Sequence, residues 1–190
     1  VLYSRENMQW ATRVWWMLRS MGFNNASILN GGYDRWKIEN RATTTDTNIY
    51  PLNTFKSNPK EGYFCSKEEV KEQLTNNNIS IINALRSSLH DGSDSVYYGR
   101  PGHIKNSINI PSLDMIDNKT KRYKPLSELE KIFKKFKVLK KERIIAYCGG
   151  GIAATNIAFV LTNLGYRNIS VYDASLSEWA KDNSLPMTVD

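Results

Sequence analysis

Arg143-Ile144-Ile145-Ala146-Tyr147-Cys148-Gly149-Gly150-Gly151-Ile152-Ala153 carries an apolar run into a cysteine, three glycines and a helical pattern that starts at Ala154. A short apolar stretch ended by a glycine turn reads as a buried strand feeding a helix. Cys148 at that junction is expected to lie in a ring of backbone N–H groups at the helix N-terminus. Such a nest, together with the helix dipole, stabilises an anion. The three glycines let the backbone curl near the sulfur without Cβ clashes. A thiol in that setting is a candidate nucleophile.

The same alternation continues along the chain. Ser66-Lys67-Glu68-Glu69 has the pattern of a capping box and opens a helix to about Leu74. Ile79–Asn83 reads as a strand, and a polar loop follows through Gly92 and Tyr97 to Pro101. Ser107–Pro111 reads as a short strand, and Ser127-Glu128-Leu129-Glu130 as the cap of a second helix. Leu129, Ile132, Phe133 and Phe136 give that helix an apolar stripe suited to core packing. Ile169–Tyr172 is the next strand after the cysteine loop. Strands alternating with helices predict an α/β protein, with a mainly parallel sheet flanked by helices on both faces.

Spacing exposes an internal repeat. Ala11–Asn30 and Ala154–Asp173 align without a gap, placing Gly22 against Gly165, and Trp36 and Trp179 follow at equal distances. Each copy reads as helix, glycine C-cap, short buried strand, turn and a helix carrying the tryptophan. In the first copy Tyr3-Ser4 stands where Tyr147-Cys148 stands in the second, and Arg5-Glu6-Asn7-Met8 replaces the glycines. The expected organisation is the end of an inactive first domain over 1–40, a linker over 41–60 rich in Thr, Asn and Pro, and a complete domain over 61–190. With Val1 inside a strand-like run and no initiator methionine, the chain is expected to be part of something longer.

Composition narrows the class. The apolar fraction of 41% is that of an ordinary globular domain. No apolar run approaches the roughly 18 residues of a membrane span. Cys65 and Cys148 are the only cysteines, which argues against a disulfide scaffold and a CxxC metal site. Cys65, in Tyr63-Phe64-Cys65-Ser66, reads as a half-buried thiol without a role. The net charge of +7 is concentrated between Lys119 and Arg143. Without aromatic interleaving or a base-reading motif, that run reads as a solvated helix face, so no nucleic-acid or membrane partner is expected. The lack of disulfide usage points to the cytoplasm.

Two other readings of the glycine loop are open. Gly149-Gly150-Gly151-Ile152-Ala153-Ala154 also fits G-x-G-x-x-A between strand and helix, with Asp173 after the next strand. Against a dinucleotide unit stand the 17 residues left after Asp173, the late position in the domain and the missing glycines of the first copy. That reading stays as the lesser alternative. A Cys-x5-Arg phosphatase holds phosphate with a guanidinium, and the matching position here is Ala154. A cysteine protease needs a paired histidine. His103, in Gly102-His103-Ile104, reads as a structural hydrogen-bonder, and no cysteine stands near enough for a dithiol. What is left is a solitary thiolate in a neutral cradle, suited to loading and unloading a group on its own sulfur.

Gly99–Pro111, Ala146–Thr155 and Tyr172–Trp179, in this order and spacing, resemble segments of the two-domain rhodanese family of thiosulfate and 3-mercaptopyruvate sulfurtransferases. The resemblance runs over nearly the whole chain and implies a rhodanese-like fold with an inert first domain and a catalytic second one. It implies a sulfurtransferase in which Cys148 carries persulfide sulfur and the N–H groups of Gly149, Gly150, Gly151, Ile152 and Ala153 bind the substrate sulfur. A small-molecule donor and a thiol or cyanide acceptor would be its partners, with no metal or organic cofactor. A monomer with an intramolecular domain interface is expected. A non-catalytic persulfide carrier or binding domain is the alternative. The loop departs from the family in having neither a cation nor the serine of Cys-Gly-Ser-Gly. The family's Asp-Ala-Arg is Asn83-Ala84-Leu85 here, with Arg86 displaced by one. Arg86 is therefore a candidate for the donor's anionic group or a plain surface residue. Arg100 is expected to brace its loop.

Overall fold

The computed structural model describes residues 1–190. Two helices come first, α1 (Gln9–Ser20) and α2 (Gly32–Ile38), followed by an exposed stretch over 41–60 without regular structure. Next come β1 (Phe64–Cys65), α3 (Lys67–Glu72), β2 (Ile79–Asn83) and α4 (Ser87–Asp91). β3 (His103–Ile104), β4 (Ile108–Asn109), α5 (Leu126–Lys135) and β5 (Arg143–Tyr147) lead to α6 (Ile152–Asn163). β6 (Ile169–Tyr172), α7 (Ser175–Trp179) and β7 (Met187–Thr188) end the chain. Five strands form a parallel sheet in the order β1-β6-β5-β2-β4, while β3 and β7 make a separate antiparallel ribbon. No helix is long and apolar enough to cross a membrane.

Period-two alternation divides the sheet between two cores. Ile144 and Ala146 of β5, with Ile82 and Val171 beside them, face α1, α5 and α6. Ile145 and Tyr147 face the other way, onto Val70 of α3 and Leu176 and Trp179 of α7. Both faces are thus covered, which explains why the strands read as continuous apolar runs. Cys148 keeps the alternation of β5 and falls on the α1/α6 face.

The repeat extends to individual bonds. The parallel bridge Leu2↔Ile28 occupies the register of Ala146↔Val171, and Tyr33 N–H donates to the Ser4 carbonyl as Leu176 N–H does to that of Cys148. The buried strand expected in the first copy is only this bridge, and Ile28 is part-exposed, because no further strand flanks it. Two helix starts also differ from the sequence reading. The left-handed Gly151 (φ 78°) completes its turn in one residue, so α6 begins at Ile152 rather than Ala154. Ser127 caps nothing: the Pro125 carbonyl accepts from Glu128 and Leu129 N–H, and α5 starts at Leu126. Ser66 does cap α3, accepting from Glu69 N–H at 3.2 Å. α1 packs along α6, with Thr12 and Thr155 hydroxyls 2.9 Å apart in the contact.

Candidate functional site

The loop after β5 is held from below by α7. Ser175 Oγ accepts the Cys148 N–H at 3.0 Å and donates to the Tyr172 carbonyl at 2.6 Å. Leu176 N–H donates to the Cys148 carbonyl, and Ser177 grips the Gly149 carbonyl with both its N–H (2.8 Å) and its hydroxyl (2.7 Å). Across a trans peptide the carbonyl and the next N–H point oppositely. Fixing those two carbonyls on α7 therefore turns the Gly149 and Gly150 N–H groups away from it. None of the N–H groups of Gly149, Gly150, Gly151, Ile152 and Ala153 donates a hydrogen bond elsewhere in the chain. Five free donors at the N-terminus of α6, on the loop that follows Cys148, are what an anion cradle requires.

The three glycines are not equivalent. A Cβ on Gly149 would come within 2.1 Å of Tyr98 Cζ, and one on Gly151 within 2.5 Å of the Asp173 carbonyl oxygen. Gly150 has no positive φ and only Ser177 Oγ nearby, at 3.8 Å. Gly151 is required by its left-handed backbone and the Asp173 main chain, while at Gly149 the neighbour that would have to move is the tip of the Tyr98 side chain.

Cys148 itself is 2% exposed. Tyr98, about a third exposed, lies over the loop, and burial and the nearby Cys148 charge both raise its hydroxyl pKa while Arg86 lowers it. Arg86 borders the same cleft as Tyr98 and Ala153, a space of about 450 Å³ also lined by Gln9, Leu113 and Asp114. Its guanidinium is tied to Asp94 at 2.7 Å. Arg13 of α1 reaches the other rim, where it pairs with Asp173. Arg100 lies apart from the cleft and donates to the carbonyls of Trp179, Ala180, Asp182 and Leu185, fastening its loop to the C-terminal segment.

His90 and His103 stack with centroids 3.6 Å apart, and with Asp190 they group three potential metal ligands. The hydrogen bonds oppose ligation. Asn83 Oδ1 accepts from Leu85 N–H, so its amide donates to His90 Nδ1 and leaves the ring proton on Nε2. Cys65 is buried, and burial pushes its thiol up to about 12. Ser175, Ser177, Tyr98 and Arg13 escaped the sequence reading. Ser175 had a readable signal: it aligns with Gly32 of the first copy, and both are left-handed, at φ 51° and 60°.

A model of the rhodanese-like domain matches residues 1–39 and 66–182. The chain is 27% identical over 181 residues to 3-mercaptopyruvate sulfurtransferase of Mus musculus, covering 93% of the chain and 60% of that protein. It is 30% identical over 174 residues to thiosulfate sulfurtransferase of Rattus norvegicus, covering 90% and 58%. The chain thus spans about three-fifths of the length of these relatives. Among solved structures, an anaerobic ergothioneine biosynthesis enzyme from Chlorobium limicola superposes with a TM-score of 0.85 at 20% identity, over 99% of this chain and 50% of that one.

Proposed function

Given that the chain belongs to the rhodanese-like domain family, we propose that it is a sulfurtransferase working through a persulfide on Cys148. Ionised Cys148 attacks the outer sulfur of thiosulfate or the sulfur of 3-mercaptopyruvate. An S–S bond forms on Cys148 as the donor's S–S or C–S bond breaks, releasing sulfite or the enolate of pyruvate. Cyanide or a thiolate then attacks the terminal sulfur and returns the Cys148 thiolate. The sulfur atom carries the transferred group, so neither half-reaction calls on a metal or an organic cofactor.

The observation that carries this reading is the set of five unpartnered N–H groups from Gly149 to Ala153. They suit a charge that moves from Sγ to the terminal sulfur on loading. Each charge-assisted bond is worth about 1.5–3 kcal/mol. Residues 1–40 fit the end of a first rhodanese-like unit, whose helix α1 supplies Arg13 to the rim.

The near-complete burial of Cys148 supports a second reading, a persulfide carrier that unloads only to a docked partner. Cyanolysis with each donor, on the chain and on Cys148→Ser, separates the two. Turnover lost in the variant is expected of the enzyme. A single gain of one sulfur mass per chain without turnover fits the carrier. No loading of the unaltered chain refutes both.

A further inference from the structure

Tyr98 occupies the space that a side chain at the first loop position would fill. Its Cζ would lie 2.1 Å and its hydroxyl oxygen 2.2 Å from a Cβ on Gly149. The loop from Gly149 to Ala153 has no charge of its own. The two guanidiniums at its rims are each paired with a carboxylate, Arg86 with Asp94 and Arg13 with Asp173. Asp114 adds an acid to the cleft wall, and Arg86 is the only cation there. An inorganic dianion entering this cleft must share those guanidiniums with their carboxylates to offset its desolvation. A donor with little charge needs none, and a neutral hydroxyl waits at the mouth.

We infer that Tyr98 is the specificity-determining residue of the site and that the site takes low-charge organic hydropersulfides, R–S–SH, in preference to inorganic dianions such as thiosulfate. This rests on the reading of Cys148 as the sulfur-carrying nucleophile. In the step, the Cys148 thiolate attacks the outer sulfur of R–S–SH. The Cys148 S–S bond forms, the donor S–S bond breaks with its electron pair on RS⁻, and the outer sulfur keeps its proton. The Tyr98 O–H donates a hydrogen bond to the departing RS⁻. Phenol therefore replaces the cation that a dianionic leaving group would require, and its ring lies where a side chain at position 149 would extend.

The test compares cysteine hydropersulfide and thiosulfate on the whole chain, with cyanide as acceptor. Rates on Cys148→Ser are subtracted as background, and persulfide on Cys148 is read by intact mass. The expected result is a kcat/KM for the hydropersulfide at least about tenfold above that for thiosulfate. Tyr98→Phe, which keeps the ring, should lower kcat with the hydropersulfide about tenfold, the value of one hydrogen bond made as charge develops. The rate with thiosulfate should fall clearly less, so that the preference for the hydropersulfide narrows. The pair Tyr98→Ala with Gly149→Arg, which puts a cation in the vacated space, should shift the preference toward thiosulfate. Equal or better turnover of thiosulfate by the unaltered chain overturns the inference, as does an equal loss on both donors in Tyr98→Phe. Failure of Cys148 to load from either donor instead removes the nucleophile reading beneath it.

Discussion

Replacing one loop glycine at a time by alanine should give effects of opposite sign at adjacent positions. At Gly151 the backbone is left-handed, φ 78°, and an L side chain there costs roughly 1–2 kcal/mol before any contact is counted. The new Cβ would sit 2.5 Å from the Asp173 carbonyl oxygen and 2.6 Å from its Oδ1. Asp173 cannot yield easily. Its carboxylate is paired with Arg13, and its main chain leads within two residues to Ser175, which holds the Cys148 N–H. Relief of the clash must therefore loosen the clamp under the cysteine, adding about 1–2 kcal/mol for a buried donor left unpaired. The sum is about 3 kcal/mol, or a Tm lower by roughly 6–12 °C for a chain of this size. At Gly150 the nearest atom to a new Cβ is 3.8 Å away, and φ is not positive. Alanine there restricts the unfolded chain and should stabilise by about 0.4–1 kcal/mol. Thermal and urea melts of Gly150→Ala and Gly151→Ala measure both. Equal destabilisation, or a greater loss at Gly150, would refute the assignment of the constraint to Asp173.

Ser175→Ala leaves the buried Cys148 N–H without an acceptor and keeps the φ of 51°, so it should cost about 2–3 kcal/mol in urea unfolding. Ser175→Gly loses the same bonds but relieves the left-handed strain, and should be about 1 kcal/mol milder, reversing the usual helix ranking of the two residues. Arg100→Lys gives up a planar fork that reaches four carbonyls, and faster amide exchange over residues 182–190 is the expected readout, with the β5–α6 loop unaffected. Burial, and then the neighbouring His103, lower His90 to about 4, opposed by Asp190 and Asp91. A histidine whose folded pKa is depressed contributes stability that is present above its unfolded pKa near 6.5 and lost as pH falls toward 4. Urea melts between pH 7 and pH 5, where the carboxylates stay ionised, should show a slope in the unaltered chain that His90→Phe flattens; an unchanged slope would sink the assignment.

The parts of the fold that could be read ahead are those in which one strong local signal agrees with the tertiary environment. β2, β5 and β6 were visible because central parallel strands are buried on both faces and keep a continuous apolar run. β1, an edge strand of two residues, carries too little pattern, whereas β4, equally short, is legible inside Ser107–Pro111. At Ser66 the hydroxyl half of the capping box formed, while the Glu69 carboxylate turned to Arg143 instead of to the Ser66 N–H. The box at Ser127 did not form, since the Pro125 carbonyl two residues earlier took the first helical bonds. The expectation tied all three glycines to the close approach of the backbone to the Cys148 sulfur, whereas the nearest contacts at 149 and 151 lie elsewhere. Gly151 is imposed by its left-handed backbone and by Asp173, and Gly149 faces the tip of Tyr98, fifty-one positions away; local sequence holds no record of such contacts.

The two copies show how little separates a loaded loop from an empty framework. Both keep the same strand register and the same N–H bond from the last helix to the carbonyl of the first loop residue. At the next position toward the strand, Gly32 and Ser175 share a left-handed backbone, yet only serine can hold the amide of the residue opposite. A serine in a conformation that glycine adopts freely is costly, and such strain persists only where the surroundings enforce it. Here it fixes the amide of Cys148 while the helix start behind it fixes the carbonyl. Both ends of the cysteine's main chain are therefore held, and the free donors of the following loop begin at the very next residue.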